Sequence, residues 1–146
     1  MKTILVLEDE PSLMNLMNRV LRRYGYTILE AADAEEAIRQ FKNNDRQIDL
    51  LIADVSLPAI SGVQVALLLR AELPDLGVIL TSGYPTHAWT IRDSRHLLRL
   101  GSDSVCILLK PFTPGILLNT ISGLIGTPPS EVLSARTFMS GSSRVG

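Results

Sequence analysis

The chain has 146 residues, 46% of them apolar, and a formal net charge of -1. This length fits one ordinary domain with some tail, and the apolar fraction sustains a single buried core. Near-balanced charge excludes a global pull toward nucleic acid or an anionic membrane, the lone Cys106 excludes an internal disulfide, and no stretch approaches the ~20 apolar residues of a membrane span.

In chain order, Ile4–Leu7 is too short for a helix and reads as a buried strand. It is also too short for a signal-peptide core and is followed at once by acids, so a cytoplasmic protein is expected. Pro11 sits where a first helical turn tolerates it. Leu13, Leu16, Met17, Val20 and Leu21 then recur at helical spacing until Gly25. Tyr26–Leu29 reads as a second strand. Asp33 is placed to N-cap the next helix, with Glu36 as its capping-box partner and Ala34, Ala37, Ile38 and Phe41 on the inner face. Asn43–Gln47 is a polar loop.

Leu50–Ala53 reads as the third strand, and Ser61 as the cap of a helix running to about Ala71. Val78–Leu80 is predicted as the fourth strand, Thr86–Leu100 as one helix, Val105–Leu109 as the fifth strand and Phe112–Leu124 as the last helix. Cys106 lies inside the fifth strand's apolar run, where it reads as a small buried hydrophobe. Residues 127–146, rich in Ser, Gly and Pro, are expected to form a flexible tail after a domain spanning 1–126.

Five short strands alternating with five helices predict an α/β fold with a parallel, doubly wound sheet. The strands are continuous apolar runs, as expected where helices cover both faces. Ligands of such sheets sit at the C-terminal strand ends. Those ends carry Glu8, Asp9 and Glu10 after the first strand, Asp54 after the third, Thr81 and Ser82 after the fourth, and Lys110 with Pro111 after the fifth.

If the first and third strands are neighbours, roughly 4.8 Å apart, Glu8, Asp9 and Asp54 share one small volume. Carboxylates packed this closely favour a divalent cation. Mg²⁺ held by Glu8, Asp9, Asp54 and a main-chain carbonyl near Ser56 fits that chemistry. A carboxylate can also attack phosphorus, given positive charge and hydrogen-bond donors around the equatorial oxygens. Asp54, Lys110 and Thr81 supply those parts.

These residues carry a family resemblance. Leu5-Val6-Leu7-Glu8-Asp9-Glu10-Pro11 resembles the acidic motif of response-regulator receiver domains, and Asp54–Gly62, with Pro58 between, resembles their phosphoacceptor loop. Thr81-Ser82-Gly83-Tyr84 and Lys110-Pro111-Phe112 resemble their hydroxyl and lysine motifs. The resemblance extends from Lys2 to Gly126. It implies a flavodoxin-like five-stranded sheet in the order 2-1-3-4-5, with Asp54 as phosphoryl acceptor, Glu8 and Asp9 as the acidic metal pair, Thr81 as the switch hydroxyl and Lys110 as the family lysine. It implies a histidine kinase or histidine phosphotransfer protein as donor. Glu8 stands where many members have Asp, and Ile107 stands where many have a Tyr or Phe that reorients on activation.

Some residues have plainer readings. Pro111 invites a cis Lys110–Pro111 bond, and Gly62 serves the chain path into a helix. His87 and His96 read as surface residues, and Trp89 and Tyr84 as packing or surface residues. Arg92, Arg95, His96 and Arg99 form a basic helix face, either solvated or facing an acidic partner.

The expected function is a phosphorylation switch, not an enzyme beyond self-phosphorylation and slow autodephosphorylation. Its expected output is contact with a downstream protein, with no nucleic-acid binding and no membrane insertion. Only about 20 residues follow the last predicted helix, too few for a helix-turn-helix domain. Two other readings stay open: a Mg²⁺-dependent phosphohydrolase, and a receiver-like interaction module that works without phosphate.

Overall fold

In the computed structural model, which describes residues 2–128, the capping signals decide where each helix starts. Helix α1 (Pro11–Arg23) begins with Pro at its first turn, and the Glu10 carboxylate accepts from the Leu13 N–H. Helix α2 (Ala34–Asn43) starts at Asp33, whose side chain accepts from Glu36 N. Helix α3 (Gly62–Glu72) has a full capping box between Ser61 and Gln64. The Thr90 and Thr113 hydroxyls cap α4 (Ile91–Leu100) and α5 (Pro114–Ile125) by accepting the Asp93 and Ile116 N–H groups.

Between the helices lie β1 (Thr3–Leu7), β2 (Thr27–Ala31), β3 (Leu50–Asp54), β4 (Gly77–Ser82) and β5 (Val105–Leu109). They form one parallel sheet in the order β2-β1-β3-β4-β5. This is the flavodoxin-like topology expected from the strand–helix alternation and the motifs.

Every residue of β3 and β4 is buried, which explains why these segments are continuous apolar runs. The pleat divides the core in two. Leu5, Leu7, Leu51, Ala53, Val78 and Leu80 pack with Phe41 of α2, Val65 and Leu69 of α3 and Leu100 of α4. Ile4, Val6, Leu50, Ile52 and Ile79 pack with Met14, Met17 and Leu21 of α1 and Leu117, Leu118 and Ile121 of α5. Cys106 is half-buried against this second layer.

The second strand lies further along the chain than Tyr26–Leu29, because Tyr26 N bonds to Leu21 O in the turn after α1 while Glu30 and Ala31 pair with Val6 and Leu7. The predicted helix Thr86–Leu100 is broken. A 3-10 turn spans Thr86–Ala88, Trp89 and Thr90 are extended, and α4 starts at Ile91 because the Thr90 hydroxyl takes the Asp93 N–H. Of the expected tail, residues 129–146 lie outside the described residues. No helix among the described residues is long and apolar enough to cross a membrane.

Candidate functional site

Strand register brings the polar residues together. Leu7 of β1 pairs with Ala53 of β3, so Glu8 and Asp54 emerge side by side. Asp54 is itself in register with Thr81 of β4. The Ser82–Leu109 pair is followed by a Lys110 N–H to Ser82 O bond of 2.8 Å, which fixes Lys110 at the same edge. Four adjacent strands thus deliver Glu8, Asp54, Thr81 and Lys110 to one corner of the sheet. Glu8, Asp54 and Thr81 are buried, whereas Asp9 is exposed.

At that corner Lys110 Nζ donates to Glu8 Oε1 at 3.0 Å and to Asp54 Oδ2 at 3.1 Å. The other Asp54 oxygen, Oδ1, accepts from Ser56 N at 2.9 Å, and Glu8 Oε2 accepts from Glu10 N at 3.1 Å. Carboxylate oxygens of Glu8, Asp9 and Asp54 lie within 4.8 Å of one another. Three carboxylates against one ammonium leave a charge of -2 when all are ionised, the complement of a divalent ion. An all-oxygen donor set with an open side suits Mg²⁺, which keeps waters and takes phosphate oxygens. Glu10 stands apart from this trio: its carboxylate caps α1 and accepts from the Ser12 hydroxyl, which lowers its pKa.

The electrostatics follow from burial and from the crowding of like charge. Burial pushes the Glu8 carboxyl above the usual glutamate value, and the Asp54 charge adds to this, against the opposing hydrogen bond from Lys110. Burial works against the Lys110 ammonium, but the Glu8 hydrogen bond and the Asp54 charge outweigh it, so its pKa is raised. A cation bound between the carboxylates would reverse the push on Glu8.

Two backbone features lie at this edge. A Cβ at position 62 would lie 2.3 Å from the Asp54 carbonyl oxygen, so only glycine lets α3 start this close to the end of β3. The Lys110–Pro111 peptide is cis.

Glu8, Asp9, Asp54, Thr81 and Lys110 are therefore gathered at one edge, with the Ser56 amide on Asp54. His87 is exposed on the 3-10 turn, and His96 lines a groove between α3 and α4 away from this corner. Ile107 is half-buried in β5 and packs against the α2–α3–α4 core layer. Two residues gain roles the sequence reading did not give them. The Ser82 hydroxyl donates to Tyr84 O at 2.7 Å and accepts from Tyr84 N at 3.0 Å, a local loop that Ser before Gly-Tyr could have signalled. Asp93 is buried in an otherwise basic helix, a placement that one continuous helix over Thr86–Leu100 does not predict.

The sequence matches the response regulator receiver domain over residues 4–122. It is 36% identical over 113 residues to the response regulator GtcR of Aneurinibacillus migulanus, covering 77% of this chain and 43% of that protein. The chain therefore spans less than half the length of that relative. Among solved structures, a CheY-like receiver domain protein of Methanospirillum hungatei has a TM-score of 0.72 at 25% identity, covering 84% of this chain and 92% of that one. The response regulator TrrA of Thermotoga maritima, solved in complex with Mg²⁺ and BeF, has a TM-score of 0.69 at 31% identity, covering 85% of this chain and 99% of that one. Motifs, strand order and these likenesses agree, and the chain belongs to the family of response regulator receiver domains.

Proposed function

We propose that the chain is a Mg²⁺-dependent phosphorylation switch in which Asp54 takes a phosphoryl group from a histidine kinase or a histidine phosphotransfer protein. The observation that carries this reading is Lys110 Nζ held between Glu8 and Asp54 beside the Asp9 carboxylate. An Asp54 oxygen attacks phosphorus in line. The P–N bond to the donor imidazole breaks, its electron pair stays on the ring nitrogen, and an acyl phosphate forms on Asp54. When bound, Mg²⁺ neutralises charge on the transferring oxygens; Glu8, Asp9, Asp54 and the Ser56 carbonyl would hold it. Lys110 follows the new phosphoryl oxygens, and the Thr81 hydroxyl donates to one of them. The shift of Thr81 moves the loop after β4 and α4, which changes a surface read by a downstream protein.

Ser56 and Gly83 add no acid or base beside Asp54, which disfavours a multiple-turnover phosphohydrolase. The aliphatic Ile107 favours a phosphate-independent module as the second reading. Intact mass after incubation with acetyl phosphate and Mg²⁺, with phosphate release from esters measured alongside, separates the three. The switch reading expects one phosphoryl group on the wild type and none on Asp54→Asn. Sustained release of phosphate from esters would establish the hydrolase, and an unlabelled wild type the phosphate-independent module.

A further inference from the structure

We propose that Trp89 is a positioning residue of the switch: its indole N–H holds the loop after β4 in one place and passes to Asp93 when Thr81 is drawn to a phosphoryl group. The proposal rests on the phosphoacceptor reading of Asp54 and adds to it a positioning role for Trp89. Trp89 Nε1 donates to Ser82 Oγ at 3.2 Å and to Tyr84 O at 3.1 Å. Ser82 directly follows Thr81 and is buried. The same hydroxyl that the indole engages also closes the Ser82–Tyr84 turn. Tyr84 is 62% exposed, and the Trp89 side chain packs against the α2–α3–α4 core layer. The indole thus joins the Ser82 hydroxyl in tying an outward-facing loop to the core.

Asp93 supplies the second position. It is 8% exposed, and its Oδ1 is buried without a hydrogen-bond partner among the described residues. A buried carboxylate oxygen in that state is costly and calls for an explanation. Asp93, Trp89, Ser82, Tyr84 and Ser56 line one cavity of about 170 Å³. Two walls of this cavity report on Asp54: the Ser56 N–H donates to Asp54 Oδ1, and Thr81, beside Ser82, is in register with Asp54. Any displacement of Thr81–Ser82 strains the indole bond at 3.2 Å, and Asp93 offers an acceptor in the same cavity. One donor with two alternative positions, on Ser82 and Tyr84 or on Asp93, is a bistable element. Position 107 carries an isoleucine, so no ring there can take this part.

The chain has one tryptophan, so its indole N–H gives a single resonance in a ¹⁵N-labelled sample. Without phosphodonor, that proton should exchange slowly with solvent, and Ser82→Ala should speed exchange about fivefold, the factor for one net hydrogen bond. Exchange at the free-indole rate in the wild type would overturn the latch. After acetyl phosphate and Mg²⁺, with labelling confirmed by mass, the indole resonance should move to a second position. Asp93→Leu should take the label but leave the resonance unmoved, and Asp93→Asn, which keeps an acceptor and guards against a folding defect, should behave as the wild type. Label without an indole change, or Asp93→Leu moving as the wild type does because Asp93 is satisfied by water only, would sink the handover alone. A wild type that takes no label would instead remove the phosphoacceptor reading, and the handover with it.

Discussion

Lys110 and Glu8 stand 102 residues apart in the chain, yet their ammonium and carboxylate meet at 3.0 Å on the sheet edge, with Asp54 as the third party. Glu8 has 1% of its side chain exposed and Lys110 24%, so the lysine is what makes the buried carboxylate tolerable in the absence of a metal. Lys110→Met should destabilise the metal-free protein by about 1–3 kcal/mol, less than a fully buried pair because the lysine is partly solvated. Saturating Mg²⁺ should recover much of that loss, since a cation then faces Glu8. Thermal denaturation with Mg²⁺ and with a chelator decides it: an equal loss under both conditions would mean that ion and lysine do not answer the same charge.

The raised Glu8 pKa gives a pH dependence with a definite sign. The folded carboxyl binds its proton more tightly than the unfolded one, whose value is about 4.5. Its contribution to metal-free stability is therefore fully present below that value and is lost as pH rises through the folded value. Mg²⁺ needs the carboxylate, so its affinity should fall as pH drops through the raised Glu8 value, by up to about tenfold per pH unit. Lys110, also raised, keeps its charge throughout this window and loses its contribution only above 10.5. Calorimetric Mg²⁺ titrations at several pH values should show proton release on binding in the wild type and almost none in Glu8→Gln. A flat wild-type profile would contradict the assignment.

Most of this arrangement was legible because it depends on chain order. Short apolar runs bounded by acids, a hydroxyl and a lysine predict parallel strands with their chemistry at one end, and the β1–β3 adjacency then brings Glu8 and Asp54 together. Caps at Asp33 and Ser61 were readable because a single side chain and its third neighbour define them. What escaped depends on tertiary contacts. The register of β2 turns on a Tyr26 N–H captured by Leu21 O, a backbone bond without a sequence signature. The helix break at Trp89–Thr90 is different in kind: the Thr90 hydroxyl takes the Asp93 N–H, a local cap that helical spacing alone does not reveal. The pairing of Lys110 with Glu8 is a contact between side chains 102 residues apart, with no local signal in either motif.

Gly62 ties the backbone of Asp54 to the start of α3. Gly62→Val would place a Cβ 2.3 Å from Asp54 O and 3.0 Å from the Ala53 Cβ, and neither is the tip of a flexible side chain. The start of α3 must back away from the end of β3, at about 2–4 kcal/mol. Denaturant unfolding should show that loss, and Mg²⁺ affinity should fall with it, because Asp54 is displaced relative to Glu8 and Asp9. Gly123→Ala, with nothing within 4 Å of its Cβ, is the control and should leave Mg²⁺ binding unchanged. Unaltered Mg²⁺ affinity in a folded Gly62→Val protein would show that the close approach has no bearing on the acidic trio.

Arg70 fixes the C-terminal end of α4, opposite the Trp89 loop. From α3 its Nε donates to Leu76 O at 2.9 Å, Nη1 to Leu100 O at 3.4 Å, and Nη2 to Asp103 O at 2.7 Å and Ser104 O at 3.1 Å. One guanidinium thus joins the loop before β4, the last turn of α4 and the turn before β5, while burial depresses its pKa against the nearby Asp103 and Asp75 charges. The fork geometry matters, because a lysine ammonium has no second nitrogen to span these carbonyls. Arg70→Lys should lose nearly as much stability as Arg70→Ala, about 1–3 kcal/mol, with the loss concentrated in faster amide exchange around Leu100–Val105. If α4 moves as a body when Asp54 is phosphorylated, this clamp is its pivot. Arg70→Lys should then accept a phosphoryl group on Asp54 as the wild type does, while the α4 amides respond less. Full retention of stability and exchange protection in Arg70→Lys would show instead that a single point charge suffices at this junction.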